Sequence, residues 1–207
     1  MCIEGIEGSG KSTLLAGLAA RMRERGRDVV VTREPGGTAL GERLRDVFTA
    51  PDLAIDPLAE ALIVSAARAQ HVSEVIEPAL AAGRSVLCDR FAAATLAYQG
   101  YGRGVPQETL RGLIALATRG RYPDLTLLVD VSVDVSRSRV RARAVATGEA
   151  QDRLERESAA FHERVRDGYL DLARQDTRIV TLDGTLEPEA LCDAAWQAVV
   201  AQCALPT

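Results

Sequence analysis

Gly5-Ile6-Glu7-Gly8-Ser9-Gly10-Lys11-Ser12, followed by Thr13, is the stretch that most narrows what this chain can become. It fits the pattern GxxxxGK(S/T), in which backbone N–H groups freed by glycine turn inward around phosphate oxygens, a lysine adds charge and a hydroxyl reaches a magnesium ion. Its flanks suit that chemistry. Met1-Cys2-Ile3 ahead of it reads as a short buried strand, and Leu14, Leu15, Leu18, Ala19 and Met22 behind it recur at helical spacing. The loop therefore feeds a helix N-terminus, which favours anions.

The rest of the chain continues the alternation. Asp28 to Thr32 is a β-branched run of the kind buried in a parallel sheet, and Ser85 to Cys88, Asp124 to Asp130 and Arg178 to Leu182 supply three more strands. Helices are expected at Leu40 to Phe48 after a Thr38 cap, and at Leu58 to Ala82, with Gly83 as its stop. Others are expected at 92 to 102, at Pro106 to Thr118 and at Pro188 to Cys203. On the long helix, Leu58, Leu62, Ala66, Ala69, Val72, Ile76 and Leu80 trace an apolar stripe spaced by three or four, with Arg68 and Gln70 beside it. Five strands and their helices in 207 residues make a single α/β domain, a five-stranded parallel sheet flanked by helices.

Chemistry-bearing residues gather where these strands end. Arg33-Glu34-Pro35-Gly36-Gly37 follows the second strand, and Asp89-Arg90 closes the third, at the carboxyl end where ligands of open α/β sheets collect. An acid there, coupled to the loop at 5 to 13, is placed to hold magnesium directly or through water. Farther on, Arg137, Arg139, Arg141 and Arg143 lead into a Gly-containing connection at 144 to 151, and Asp152-Arg153-Leu154-Glu155 is expected to open another helix. Helical spacing puts Arg137 with Arg141 on one face and Arg139 with Arg143 on another, so at most one set can serve a single ligand. Arg143 and Arg153, flanking the connection, are the stronger choices.

A net charge of −4 and a pI near 5.3 argue against a nucleic-acid scaffold. No apolar stretch approaches the roughly 20 residues that span a bilayer. Cys2, Cys88, Cys192 and Cys203 lack metal-binding spacing and read as reduced thiols of a cytoplasmic protein; His71 and His162 read as structural.

GIEGSGKST at 5 to 13, TREPGGT at 32 to 38, AARAQH at 66 to 71, DRF at 89 to 91, TLAYQGYGRG at 95 to 104, PDLTLLVDV at 123 to 131 and DRLE at 152 to 155 together resemble the bacterial thymidylate kinases, in that family's order and over essentially the whole chain. The resemblance implies transfer of the γ-phosphoryl of ATP to dTMP, with Mg2+ as cofactor, by a homodimer. It implies that Gly5, Ile6, Glu7, Gly8, Ser9, Gly10, Lys11, Ser12 and Thr13 hold ATP and that Ser12 and Asp89 manage the metal. Glu7, Arg33, Arg68 and Arg90 would meet the acceptor nucleotide, while Thr95, Tyr98 and Gln99 would line its sugar and base. Gly8 stands where one branch of the family carries a loop arginine, so the mobile arginine is expected in a lid at about 139 to 155, as Arg143 or Arg153. Val64 departs from the pattern, standing where the family usually stacks a phenylalanine on thymine. That leaves another pyrimidine monophosphate open as acceptor; a nucleotide-dependent switch is the alternative from a different class.

Overall fold

The structure is a computed structural model that describes residues 1–148 and 150–203, without the side chain of Cys203. Five strands, β1 (Cys2–Glu4), β2 (Val29–Arg33), β3 (Ser85–Asp89), β4 (Thr126–Asp130) and β5 (Ile179–Asp183), form one parallel sheet in the order β2-β3-β1-β4-β5. All five lie within about two residues of the expected strands.

Side chains alternate across the sheet, as the two-residue period of a strand requires. On one face, Ile3, Leu87, Leu127 and Val129 pack against α1 (Lys11–Glu24) and α9 (Pro188–Cys203), through Leu14, Leu18, Met22, Leu191, Ala195 and Val199. On the other, Cys2, Val86 and Cys88 pack against helices that follow β2 and β3. These are α3 (Pro57–His71), which runs on through a π-helical segment, Val72–Ile76, into α4 (Glu77–Ala81), and α6 (Gln107–Thr118). Ahead of α3 lies α2 (Ala39–Thr49), capped as expected by Thr38, whose hydroxyl accepts the Gly41 N–H at 2.9 Å.

The stripe expected on the long helix is corrected over its first half and again at Leu80, which is exposed. Leu58 and Leu62 are 46% and 49% exposed, while Glu60, Ala61, Val64, Ala67, Arg68 and His71 are buried. The helix turns a partly charged face inward because those charges find partners inside, which apolar periodicity cannot register. From Val72 onward the π turn shifts the phase by one residue, and Val72, Ile76 and Ala79 face the core.

Two further corrections fall in the arginine-rich region. Helix α7 (Val133–Thr147) continues three residues past the expected start of the connection and stops at Gly148, whose φ of 71° is a left-handed helix end. Asp152 to Glu155 does not open a helix. Asp152 Oδ1 accepts the Glu155 N–H at 2.9 Å and Glu155 Oε2 accepts the Asp152 N–H at 3.3 Å, so both bonds of a capping box form. Yet the chain makes only a turn there, and α8 (Ala159–Gln175) begins after a new cap, Ser158.

Candidate active site

The parallel register brings the loops after β1, β2, β3 and β4 to one end of the sheet. Arg33 of β2 lies beside Asp89 of β3, which lies beside Ile3 of β1. A cleft of about 480 Å3 opens there, lined by Glu7, Gly8, Gly10, Lys11, Ser12 and Thr13 of the first loop and by residues from β2 to the connection ahead of α8.

Loop 5 to 10 is set by backbone geometry. Gly5 (φ 141°) and Gly8 (φ 68°) occupy conformations that side chains resist. A Cβ on Gly5 would lie 2.4 Å from the Val129 carbonyl oxygen, and one on Gly8 2.7 Å from that of Ser136. The loop is therefore pinned between β4 and α7. Lys11 donates to the carbonyls of Gly5 at 3.0 Å and Ile6 at 2.8 Å. Burial and the neighbouring Arg90 lower its pKa to about 8, against the pull of Asp89, Glu7 and Glu4. Ser12 and Thr13 are exposed at the helix start, in the cleft.

Arg90 sits directly after β3 with φ 67°, a left-handed conformation uncommon for an arginine and characteristic of constrained functional positions. Its guanidinium donates to the Gly5 carbonyl (2.8 Å), the Tyr169 hydroxyl (3.1 Å) and Glu7 Oε1 (2.7 Å). Tyr98 donates its hydroxyl to the same Glu7 carboxylate, at 2.7–2.8 Å. Burial works to raise the Glu7 pKa, but Arg90, Lys11 and the tyrosine hydroxyl outweigh it and hold it below the usual range. Beneath lies Glu4, fully buried, accepting the Phe91 N–H (2.7 Å) and the Tyr169 hydroxyl (2.8 Å). Burial pushes its carboxyl up to about 7.

A second network supports the side near α3. Arg68 is 2% exposed and gives Nε to Glu34 Oε2 (2.7 Å), Nη1 to Thr95 (3.0 Å) and Nη2 to the Phe91 carbonyl (2.9 Å). His71 Nδ1 meets the other Glu34 oxygen at 2.8 Å, while its Nε2 meets the Thr32 hydroxyl at 2.7 Å. His71 is therefore structural, as expected. Arg33 reaches the cleft while paired with Glu42. Arg45 joins it, its pKa lowered by burial and by Arg33 and Arg90. Val64, Thr95, Tyr98 and Gln99 line the same wall; Tyr98 and Gln99 lie on a π-helical segment, Leu96–Gly102, which extends the short helix α5 (Ala92–Thr95).

The face division expected on α7 holds. Arg139 and Arg143 line the cleft, whereas Arg137 and Arg141 line a different cavity. Arg139 donates to the carbonyls of Gly184 (2.9 Å), Ser9 (3.3 Å) and Gly8 (3.4 Å), and Arg143 pairs with Glu155. Arg153, expected beside Arg143 over the phosphates, does not line the cleft. Its guanidinium donates to the Phe48 carbonyl at 3.0 Å, pairs with Glu60 and lies over the Phe48 ring. Glu60 is fully buried and takes Arg103 and Gln99 as well. A buried carboxylate attracts whatever cations reach it, and two arginines do.

The residues expected to hold magnesium fit that purpose. The Ser12 hydroxyl and the Asp89 carboxylate line one cleft, and the described residues contain no cluster of three His, Cys, Asp or Glu able to hold a metal unaided. Such a set suits an ion that keeps its waters and is bound largely by substrate phosphates. Sequence reasoning missed Glu4, Glu60 and Arg45, and placed Glu34 in a ligand-side loop without its role as the partner of Arg68 and His71. An acid inside an otherwise apolar strand is a signal for Glu4; Glu60 and Arg45 carry none, since their partners come from distant segments.

Comparison with known proteins gives a consistent picture. A sequence model described as Thymidylate kinase matches residues 3–194. Proteins named thymidylate kinase are similar to this chain in Trichlorobacter lovleyi, at 47% identity over 98% of this chain and 97% of the relative, and in Thermomicrobium roseum, at 50% over 95% and 91%. The crystal structure of thymidylate kinase from Ehrlichia chaffeensis is similar to this one with a TM-score of 0.76 and 32% identity, over 96% of each chain.

Proposed function

The chain belongs to the thymidylate kinase family, and from that premise we propose how its cleft converts dTMP to dTDP with ATP. It is an ATP-dependent nucleoside monophosphate kinase. Transfer between two phosphates asks little covalent help from a protein: it asks for alignment, neutralised charge and exclusion of water. The acceptor phosphate is already ionised, so no general base is needed.

Loop 5 to 13 and Lys11 hold the ATP phosphates; Ser12 and Asp89 would hold Mg2+, which would supply positive charge to offset that of the phosphates. The observation that carries this reading is the set of arginines that line one cleft together with the loop: Arg33, Arg45, Arg68, Arg90, Arg139 and Arg143. A protein that only hydrolysed ATP would have no use for so many cations beyond the phosphate loop. Arg90 and Arg33 meet the acceptor phosphate; Glu7, fixed by Arg90 and Tyr98, faces the acceptor sugar. Arg68 is committed to Glu34, Thr95 and Phe91, so it shapes the acceptor wall, where Val64, Thr95, Tyr98 and Gln99 meet the base. Arg143 is the lid arginine that acts on the transferring group. Arg153 acts through position, tying the 139 to 155 lid to α2 and α3.

The enzyme works in the cytoplasm as a homodimer. The half-exposed Leu40, Val47, Leu58 and Leu62 on α2 and α3 supply apolar surface for a second copy. The described helices include none long and apolar enough to cross a membrane, and Cys2, Cys88 and Cys192 are free and buried.

Coupled ADP release with dTMP, dUMP, dCMP, UMP and purine monophosphates in parallel tests the function. A dTMP preference is expected, with Val64 compensated by the rest of the wall; preference for another pyrimidine would replace the substrate, and release independent of any monophosphate would overturn the kinase reading.

A further inference from the structure

A second cavity, of about 120 Å3, lies behind Glu7, walled by Ser136, Arg137, Val140 and Arg141 of α7, by residues 151 and 155–157 of the connection, and by His162 of α8. Nothing in the phosphoryl-transfer chemistry uses it. Helical spacing turns Arg137 and Arg141 away from the catalytic cleft, so neither serves the nucleotides there.

The charges around this cavity do not cancel locally. Three carboxylates line it, and each is already engaged: Glu7 with Arg90 and Tyr98, Glu155 with Arg143, and Glu157 with Arg103 at 2.6 Å. The guanidinium groups of Arg137, Arg141 and Arg156, which line it too, make no hydrogen bond or ion pair among the described residues. Three guanidinium groups without a partner among the described residues therefore border one space, half-buried at Arg137 and open to solvent at Arg141 and Arg156. His162 is 4% exposed, and its Nδ1 is buried without a hydrogen-bond partner, 3.8 Å from Glu7 Oε2. Buried polar atoms of native proteins are nearly always satisfied, and one that is not, at the wall of a cationic cavity, points to a missing ligand. The space is several times the roughly 10–15 Å3 that one water needs, enough for a tetrahedral oxyanion.

We propose that this cavity is an accessory anion site that takes a phosphate group, separated from the catalytic cleft by Glu7 and Glu155, which line both. A phosphate held there accepts from Arg137 and Arg141 on α7 and from Arg156 beyond the lid turn, in the bidentate geometry that guanidinium offers. It thereby ties residues 151 to 157 to α7. Because Arg143 and Arg153 belong to the two ends of that connection, occupancy of the site steadies the lid from behind.

The chain has two histidines, so their imidazole resonances are separable and provide probe and control at once. Inorganic phosphate is titrated into protein whose cleft is saturated with its monophosphate acceptor and a non-hydrolysable ATP analogue. The expected result is a saturable shift of the His162 resonance with His71 unmoved. Arg137→Gln combined with Arg141→Gln weakens that binding at least tenfold, about the effect of one lost charge-assisted hydrogen bond, and leaves phosphate-free turnover unchanged. Arg156→Gln, on the opposite wall, repeats the test should the double variant fold poorly. A His162 resonance that never shifts saturably, or that shifts equally in the variants, overturns the site. Neither outcome depends on which monophosphate is the acceptor.

Discussion

The phosphate loop and the connection between α7 and α8 face the same cleft, yet they are held in place by different physics. The loop is shaped by its own backbone: Gly5 and Gly8 adopt positive φ, and Lys11 closes on carbonyls five and six residues back. The connection has no such internal logic. Its capping box forms but supports only a turn, and its position depends on Arg153 reaching Phe48 and Glu60, more than ninety residues away in sequence. A site made from one contiguous stretch is robust and recognisable; a site made from ion pairs across the fold can move, because each pair can be exchanged. That is the contrast the proposed rigid donor pocket and mobile lid would require.

The largest effect should come from the rigid half. Lys11→Ala is expected to lower turnover by at least about 10³-fold with the fold intact by circular dichroism, since a preorganised charge at the phosphates is lost. Residual activity within tenfold of the parent would place the donor phosphates elsewhere. Gly8→Ala comes next. The left-handed conformation costs an alanine about 1–2 kcal/mol, and its Cβ would press on the Ser136 carbonyl, so kcat/KM should fall roughly 10–100-fold. An unchanged ATP KM and kcat would show that the loop yields more than its packing suggests.

In the lid half the expected losses are smaller and of a different kind. Arg153→Ala should lower kcat by about tenfold while leaving the acceptor KM within a factor of about two, because the change misplaces the lid without removing an acceptor contact. Equal loss in both would remove Arg153 from the lid account. The smallest effect is a proton linkage at Lys11. Its pKa of about 8 in the free cleft should rise when ATP phosphates surround it. The lysine's share of ATP affinity is then complete below pH 8 and is lost as pH rises through the higher, bound value. Calorimetry in buffers of differing ionisation enthalpy should record proton uptake on ATP binding near pH 8; proton release would reverse the sign and refute the linkage.

The same contrast explains what the sequence makes legible. The five strands, the phosphate loop, the Asp89-Arg90 turn and the division of arginines on α7 all follow from local pattern, and the structure carries each of them. The apolar stripe of the long helix predicts the wrong inward face over its first half, where Leu58 and Leu62 are exposed. Charged residues inside it, Glu60 and Arg68, are stabilised by partners from other segments, and periodicity weighs only hydrophobicity. The DRLE stretch misleads for a related reason: it carries a valid helix-start signature, while Arg153 and the buried Leu154 are drawn into tertiary contacts that end the turn.

The most direct test of the contrast is a double-mutant cycle between Arg153 and Glu60, reading kcat at a temperature where every variant is folded. If the lid is positioned through this pair, Arg153→Ala and Glu60→Gln together should cost no more than the worse single change, a coupling of about 1 kcal/mol or more. Losses that simply add would show that Arg153 acts on the reacting phosphates independently of Glu60, and would contradict the account.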